Sequence, residues 1–250
     1  MRTIRKRPQP KALAEWRTPR LARNQLSGMG MDCTYEELRR DARALHAVEQ
    51  SLLDEQGGIC AYTGIKLTAG SEQAARFHLE HLVPQNHCTK VPGLDADYRN
   101  LVACWPQPNC GFEPAFGARK KDNWPSPEES KLFVSPLDPG CTASFTFNHR
   151  GEITAATPEN AAANETIDKL GLADPSLTAL RRSAIQGALS PASRQIKLKE
   201  ARKLLREIED DSVKVDRGES TTLRPFCFAL EQALAREIRK LEGIMQTRRS

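Results

Sequence analysis

The 250-residue sequence contains no long hydrophobic run. No window approaches the roughly 18 consecutive apolar residues of a membrane-spanning helix, and the mean hydropathy is −0.56. The basic opening, MRTIRKRPQPKALAEWR, lacks the apolar stretch that a secretory signal carries behind its charges. A soluble, cytoplasmic protein with no membrane association is therefore expected. Phosphate-cradling loops are absent too. Neither GxxxxGKS/T nor GxGxxG occurs, so nothing supports an intrinsic ATPase or a dinucleotide site. There are no tandem repeats, no low-complexity segment, and no aromatic stripe of the kind on which single-stranded nucleic acid stacks. Histidine is scarce, with five in all, and hydrophobic residues make up 39%. That is lean, but enough for a core in one large domain or two small ones.

What is present is positive charge in blocks. The net charge is only +5. Yet residues 1–23 carry eight Lys/Arg against Glu15 alone, and residues 181–206 carry eight against Glu200 alone. Two basic blocks on a nearly neutral remainder point to a polyanion such as nucleic acid. Solvated faces or an acidic protein partner are the plainer readings. Seven cysteines, an odd number, lie at 33, 60, 88, 104, 110, 141 and 227. In a reducing compartment they are thiols or metal ligands rather than disulfides.

The organisation reads as α+β. Residues 1–31 look like an extended basic arm, with Pro8, Pro10 and Pro19 breaking any long helix. Thr34 and Glu37 form the capping-box pattern TYEE. Leu38, Ala42, Leu45, Val48 and Leu52 then recur at helical spacing up to Gly57 or Gly58. ICAYT and RFHLEHLVP read as the strands of a hairpin around the loop TAGSEQAA. Residues 95–103 read as a short helix or turn, and 104–131 as irregular. LFVSPLDPG and ASFTFNHRGEI read as short strands. From about 158 onward four helices follow, at 158–171, 175–187, 191–211 and 223–245. The expected partition is an arm (1–31), a core (32–157) and a helical region (158–250).

The run FHLEHLVPQ concentrates chemistry. On a strand, His78 and Glu80 share one face and His81 the other, unless the strand ends there. Pro84 makes such an exit natural. A carboxylate at Glu80 would hold a hard divalent ion, and a neutral imidazole at His81 could take a proton from water. Asn100, just downstream, is a candidate to orient that ring. The bland alternative is a salt-bridged strand. Cys60, Cys104 and Cys110 bracket the run and suit a structural zinc. A CxxC would need cysteine at 63, however, where the chain has Thr63. Cys88 or Cys141 would have to complete the set, unless these cysteines are simply buried.

EQGGICAYTG, HLEHLVPQ, DYRNLVAC, NCG and ARKKDNW together resemble the HNH, or ββα-metal, endonuclease family. FVSPLDPGCTASF at 133–145 and the basic opening are similar to the HNH subunits of Septu-type antiphage defence systems, the PtuB group. The resemblance covers roughly residues 1–170. It implies a small ββα-metal core with a basic N-terminal arm and a C-terminal helical region. It implies Glu80 as metal ligand, His81 as general base, Asn100 as the orienting residue, and Cys60, Cys104 and Cys110 as zinc-knuckle cysteines. The third HNH position falls in FGARKKDNW, where Asn123, with Asp122 next, would serve as ligand and His78 could supply a missing one. Arg119, Lys120 and Lys121 would contact phosphates. The resemblance further implies Mg²⁺ as the divalent metal, a possible structural Zn²⁺, and a DNA substrate by default, with RNA such as tRNA as the other choice. The implied partners are an ABC/SMC-like ATPase subunit (PtuA-like) and a retron reverse transcriptase with its DNA–RNA hybrid. A catalytically degenerate scaffold or nucleic-acid-binding module is the alternative.

Overall fold

A computed structural model describes residues 1–27, 33–67, 77–107, 111 and 113–247. Among these the chain is mixed, with helices and two small antiparallel sheets. Cys110 and residues 68–76, which hold the whole of the expected hairpin loop, lie outside the described residues.

The N-terminal segment departs from the extended arm. Residues Lys11–Ser27 form helix α1 with Pro19 inside it. Burial overrides the proline penalty: Leu13 and Trp16 enter the core and α1 packs on α3 (Ala42–Gln56). The Arg20 guanidinium donates to the Trp16 carbonyl at 2.9 Å and lies over the Trp16 ring. Even Met1 and Ile4 are buried.

The single helix expected from Thr34 is two. Thr34 caps α2 (Tyr35–Arg40), accepting from the Glu37 N–H at 3.3 Å. Asp41 then leaves helical geometry and caps α3 through the Ala44 N–H at 3.0 Å. Gly57, in the left-handed region, ends α3 as the sequence indicates.

The strand pairing also differs. Strand β1 (His78–His81) pairs antiparallel with β2 (Leu101–Cys104), His78 opposite Cys104 and His81 opposite Leu101. ICAYT is a tight turn with one isolated bridge, Ile59 to Lys66, not a partner strand. It still docks on the sheet, because the Ala61 N–H donates to the Ala103 carbonyl at 3.2 Å. Gly64, at φ +77°, lets this turn pass the Phe228 ring, whose nearest carbon would lie 2.7 Å from an added Cβ.

A four-residue helix, α4 (Ala118–Lys121), follows. LFVSPLDPG forms turns rather than a strand, and ASFTFNHRGEI is not one strand but the start of a hairpin, Phe145–Phe147 (β3) pairing with Ile153–Ala155 (β4). The C-terminal helices are α5 (Ala161–Lys169), α6 (Pro175–Leu189), α7 (Leu198–Arg217) and α8 (Cys227–Thr247). Helix α8 packs on α6, α7 and β3, and α7 reaches α3. One buried cluster runs from Met1 to Leu234 and draws on all three expected segments.

Candidate active site

The β1–β2 ladder gives the FHLEHLVPQ run two unlike faces. Along β1 burial alternates, with His78 and Glu80 partly open and Leu79 and His81 buried. His78 and Glu80 open onto a cleft of about 670 Å³, together with Tyr35, Arg39, Leu45, Glu49, Arg119 and Asp122.

Each histidine is held in one tautomer. A backbone carbonyl only accepts, so the ring nitrogen facing it carries the proton. His81 Nε2 donates to the Asp95 carbonyl at 2.9 Å, which leaves Nδ1 as the lone-pair nitrogen. His78 Nδ1 donates to the Pro106 carbonyl at 2.6 Å, so the neutral ring has its lone pair on Nε2, 3.7 Å from Glu80 Oε2, and the charged ring has a proton there. Burial lowers the His81 pKa and keeps the ring neutral. For His78 burial acts in the same direction, but the Glu80 carboxylate and the Pro106 carbonyl outweigh it and raise the pKa. The Tyr35 ring meets His81 edge-on, with centroids 4.6 Å apart. Tyr35 is also tied to the same loop, because its N–H donates to Asp95 Oδ2 at 2.8 Å.

Asn100 does not touch His81. Its Oδ1 accepts the Val83 N–H at 2.7 Å, and its Nδ2 donates to the Val83 and Leu94 carbonyls, both at 3.2 Å. It clamps the loop between β1 and β2, so its influence on His81 is indirect, through the segment that presents the Asp95 carbonyl. Sequence reasoning missed Asp95 and Tyr35. A backbone carbonyl has no sequence signature, and an aromatic at a helix start has no distinctive one.

Helix α4 brings a different residue to Glu80 than expected. Lys121, with its side chain 0% exposed, places Nζ 2.9 Å from Glu80 Oε1 and donates to the His81 carbonyl at 2.8 Å. It is therefore not available to a phosphate. The entry to α4 depends on Gly117, at φ +75° and ψ −148°, which abuts Thr63. Lys120 is also committed, donating to the Asp168 carbonyl at 2.7 Å. Of the three expected phosphate contacts, Arg119 alone lines the cleft; Arg39 joins it from α2. Asn123 faces away and accepts from Asn86 Nδ2 at 2.8 Å. Asp122, in a strained non-glycine conformation at φ 46°, ψ −121°, does line the cleft.

Among the described residues no three His, Cys, Asp or Glu side chains converge as a metal cage. His78 and Glu80 do fit a divalent ion as a pair. Two ligand bonds of about 2.1 Å at an open angle hold their donor atoms roughly 3–4 Å apart, and the two lone-pair atoms here are 3.7 Å apart. Of the expected zinc set, Cys110 lies outside the described residues. Cys60 and Cys104 are in mutual hydrogen-bond contact and fully buried. Burial raises the Cys60 pKa, but hydrogen bonds from Cys104, Thr63 and the Trp105 N–H bring it down to about 6. Cys88 instead bonds the Val83 and Pro84 carbonyls.

The first basic block is largely spent inside the fold. Arg2 pairs with Asp216, Lys6 with Glu55 at 2.6 Å, and Arg17 with Asp97 at 2.7 Å. In the second block Arg181 is buried, donating to the Gly151 and Leu172 carbonyls. No helix among the described residues is long and apolar enough to cross a membrane. No family model and no curated protein matches the chain, so its own residues carry the functional argument.

Proposed function

We propose that the chain is a divalent-metal-dependent, HNH-type endonuclease that hydrolyses nucleic-acid phosphodiester bonds. The observation that carries this reading is a single strand end. There Glu80 and His78 Nε2 open onto one cleft, and the adjacent His81, on the buried face with its Nε2–H held by a carbonyl, packs against Tyr35, which lines that cleft. A divalent ion bound by Glu80 and His78 would polarise the phosphoryl oxygens and stabilise the leaving alkoxide. An imidazole next to a carboxylate suits Mn²⁺ or Zn²⁺ better than Mg²⁺. His81 Nδ1 takes the proton of the attacking water, while the Asp95 carbonyl keeps the other N–H in place. Arg119 and Arg39, at the cleft rim, meet backbone phosphates, which fix position rather than sequence. DNA is the default substrate, and RNA such as tRNA would present the same bond. Service as the effector of an antiphage defence complex, with an ATPase subunit and a retron reverse transcriptase as partners, rests on the family resemblance.

The test is cleavage of labelled DNA and RNA in Mn²⁺, Zn²⁺ and Mg²⁺ by the full chain and by His81→Ala and Glu80→Ala. Both variants are expected to lose at least about 100-fold in rate, His81→Ala with an unchanged circular-dichroism spectrum. Undiminished cleavage by His81→Ala overturns the mechanism.

A second reading, a catalytically degenerate nucleic-acid-binding or scaffold subunit, is favoured by one observation. The Glu80 carboxylate already carries the Lys121 ammonium. On that reading no Mn²⁺ binds near Glu80, and Glu80→Ala keeps the biological activity.

A further inference from the structure

On the nuclease reading above, we propose that Lys121 makes ion loading depend on nucleic acid: its ammonium cancels the charge of Glu80, so the ion is held firmly only when a substrate phosphate supplies the missing negative charge. The geometry is specific. The Lys121 side chain is 0% exposed and Glu80 15%, and the two are 2.9 Å apart through Oε1. Oε2 faces His78 instead. The second bond from Lys121, to the His81 carbonyl at 2.8 Å, fixes the ammonium to the end of β1 independently of Glu80. Dissolving a buried pair strands a charge, so the ammonium stays when an ion arrives.

An ion at Oε2 then meets a pair of neutral sum and a lone-pair imidazole. Asp122 and Glu49 line the same cleft, but among the described residues no three such ligands converge. Hard ions in phosphate-handling sites are commonly completed by the substrate's own oxygens. A phosphodiester entering past Arg119 would bring both the oxygens and the charge. Ion and substrate must then raise each other's affinity by the same factor.

The measurement is Mn²⁺ affinity of the full chain by electron paramagnetic resonance. It is made with and without a DNA oligonucleotide, in a His81→Ala background that prevents turnover. With Lys121 present, the oligonucleotide is expected to tighten Mn²⁺ binding at least about tenfold. Lys121→Met removes the charge at similar length. It is expected to bind Mn²⁺ about tenfold more tightly without oligonucleotide, and to lose most of the coupling. Lys121→Arg should keep the coupling. Equal Mn²⁺ affinity with and without oligonucleotide overturns the proposal, even should Lys121→Met fail to fold. Weaker Mn²⁺ binding by a folded Lys121→Met also overturns it, since a purely structural lysine would give that result. Cleavage by the wild-type chain in Mn²⁺ with no coupling refutes the proposal alone, whereas no Mn²⁺ binding and no cleavage refutes the nuclease reading itself.

Discussion

Glu49 shows what one side chain can reveal about the cleft. It is a half-buried carboxylate on α3 that lines the cleft, with no hydrogen bond or ion pair among the described residues. Burial raises its pKa above the ordinary 4.5, and His46 only partly opposes this. A folded-state pKa above the unfolded one means that the charged form is penalised in the fold. The penalty is absent below the ordinary value, grows as pH rises through the raised one, and is complete beyond it. Glu49→Gln is therefore expected to melt higher than the wild-type chain at pH 7, by on the order of 2 °C. The difference should vanish near pH 4. Thermal melts at both pH values check this, and a variant that melts lower at pH 7 would show a partner for Glu49 instead. Residue types at this scale were readable in part. Glu80 and His78 share a face because a strand alternates, which needs no tertiary information. The clamp made by Asn100 and the burial of Lys121 were not readable, since both depend on segments distant in sequence.

At the level of elements, α2 is the part that sequence patterning undervalued. The Thr34 cap and Leu38 periodicity announce a helix, and it forms. Its role, however, comes from the break at Asp41, which leaves α2 a short, separate turn with Tyr35 against His81. Tyr35 acts on His81 through its ring edge and through the bond from its N–H to Asp95. On the proposed nuclease function, Tyr35→Phe keeps both contacts and should cleave within about twofold of wild type. Tyr35→Ala frees the imidazole and should lower kcat about tenfold with little change in KM, as a positioning loss does. Steady-state kinetics on one oligonucleotide separates the two variants. A rise in KM at constant kcat would make Tyr35 a substrate contact instead. The other misread element is the partner of β1. Both ICAYT and LVAC are short, apolar and rich in β-favouring residues. Periodicity alone cannot rank them, and the turn geometry of 60–64 decides.

Across the whole molecule, the N-terminus and the C-terminal helices are parts of one core. The Ile4 N–H donates to the Pro136 carbonyl at 2.7 Å, and Arg2 reaches Asp216 on α7 and the Ser212 carbonyl. Arg2 is only 8% exposed, so Arg2→Ala strands part of a buried network. It is expected to cost about 2–4 kcal/mol in urea unfolding. The wild-type chain should unfold in one transition, with tryptophan fluorescence and far-UV circular dichroism coincident. Two separated transitions would restore an independent arm or helical region. This packing also changes the electrostatics. Basic residues that look like a polyanion patch in sequence are, at Arg2, Lys6 and Arg17, partners of internal carboxylates. The charge at the cleft rim comes instead from Arg39 and Arg119.

Features that rest on neighbouring residues could be read before the fold was known. These are the helix caps at Thr34 and Gly57, the four C-terminal helices, and the shared face of His78 and Glu80. Each follows from dihedral preference or from a period of two or 3.6 residues, which are local properties. Only the tertiary structure decided that β1 pairs with Leu101–Cys104, that Asp95 rather than Asn100 holds His81, and that Lys121 sits on Glu80. Those contacts join segments 14 to 41 residues apart. Their formation depends on which of several comparable surfaces bury the most apolar area while leaving no charge unpaired, and that is a property of the packed chain as a whole.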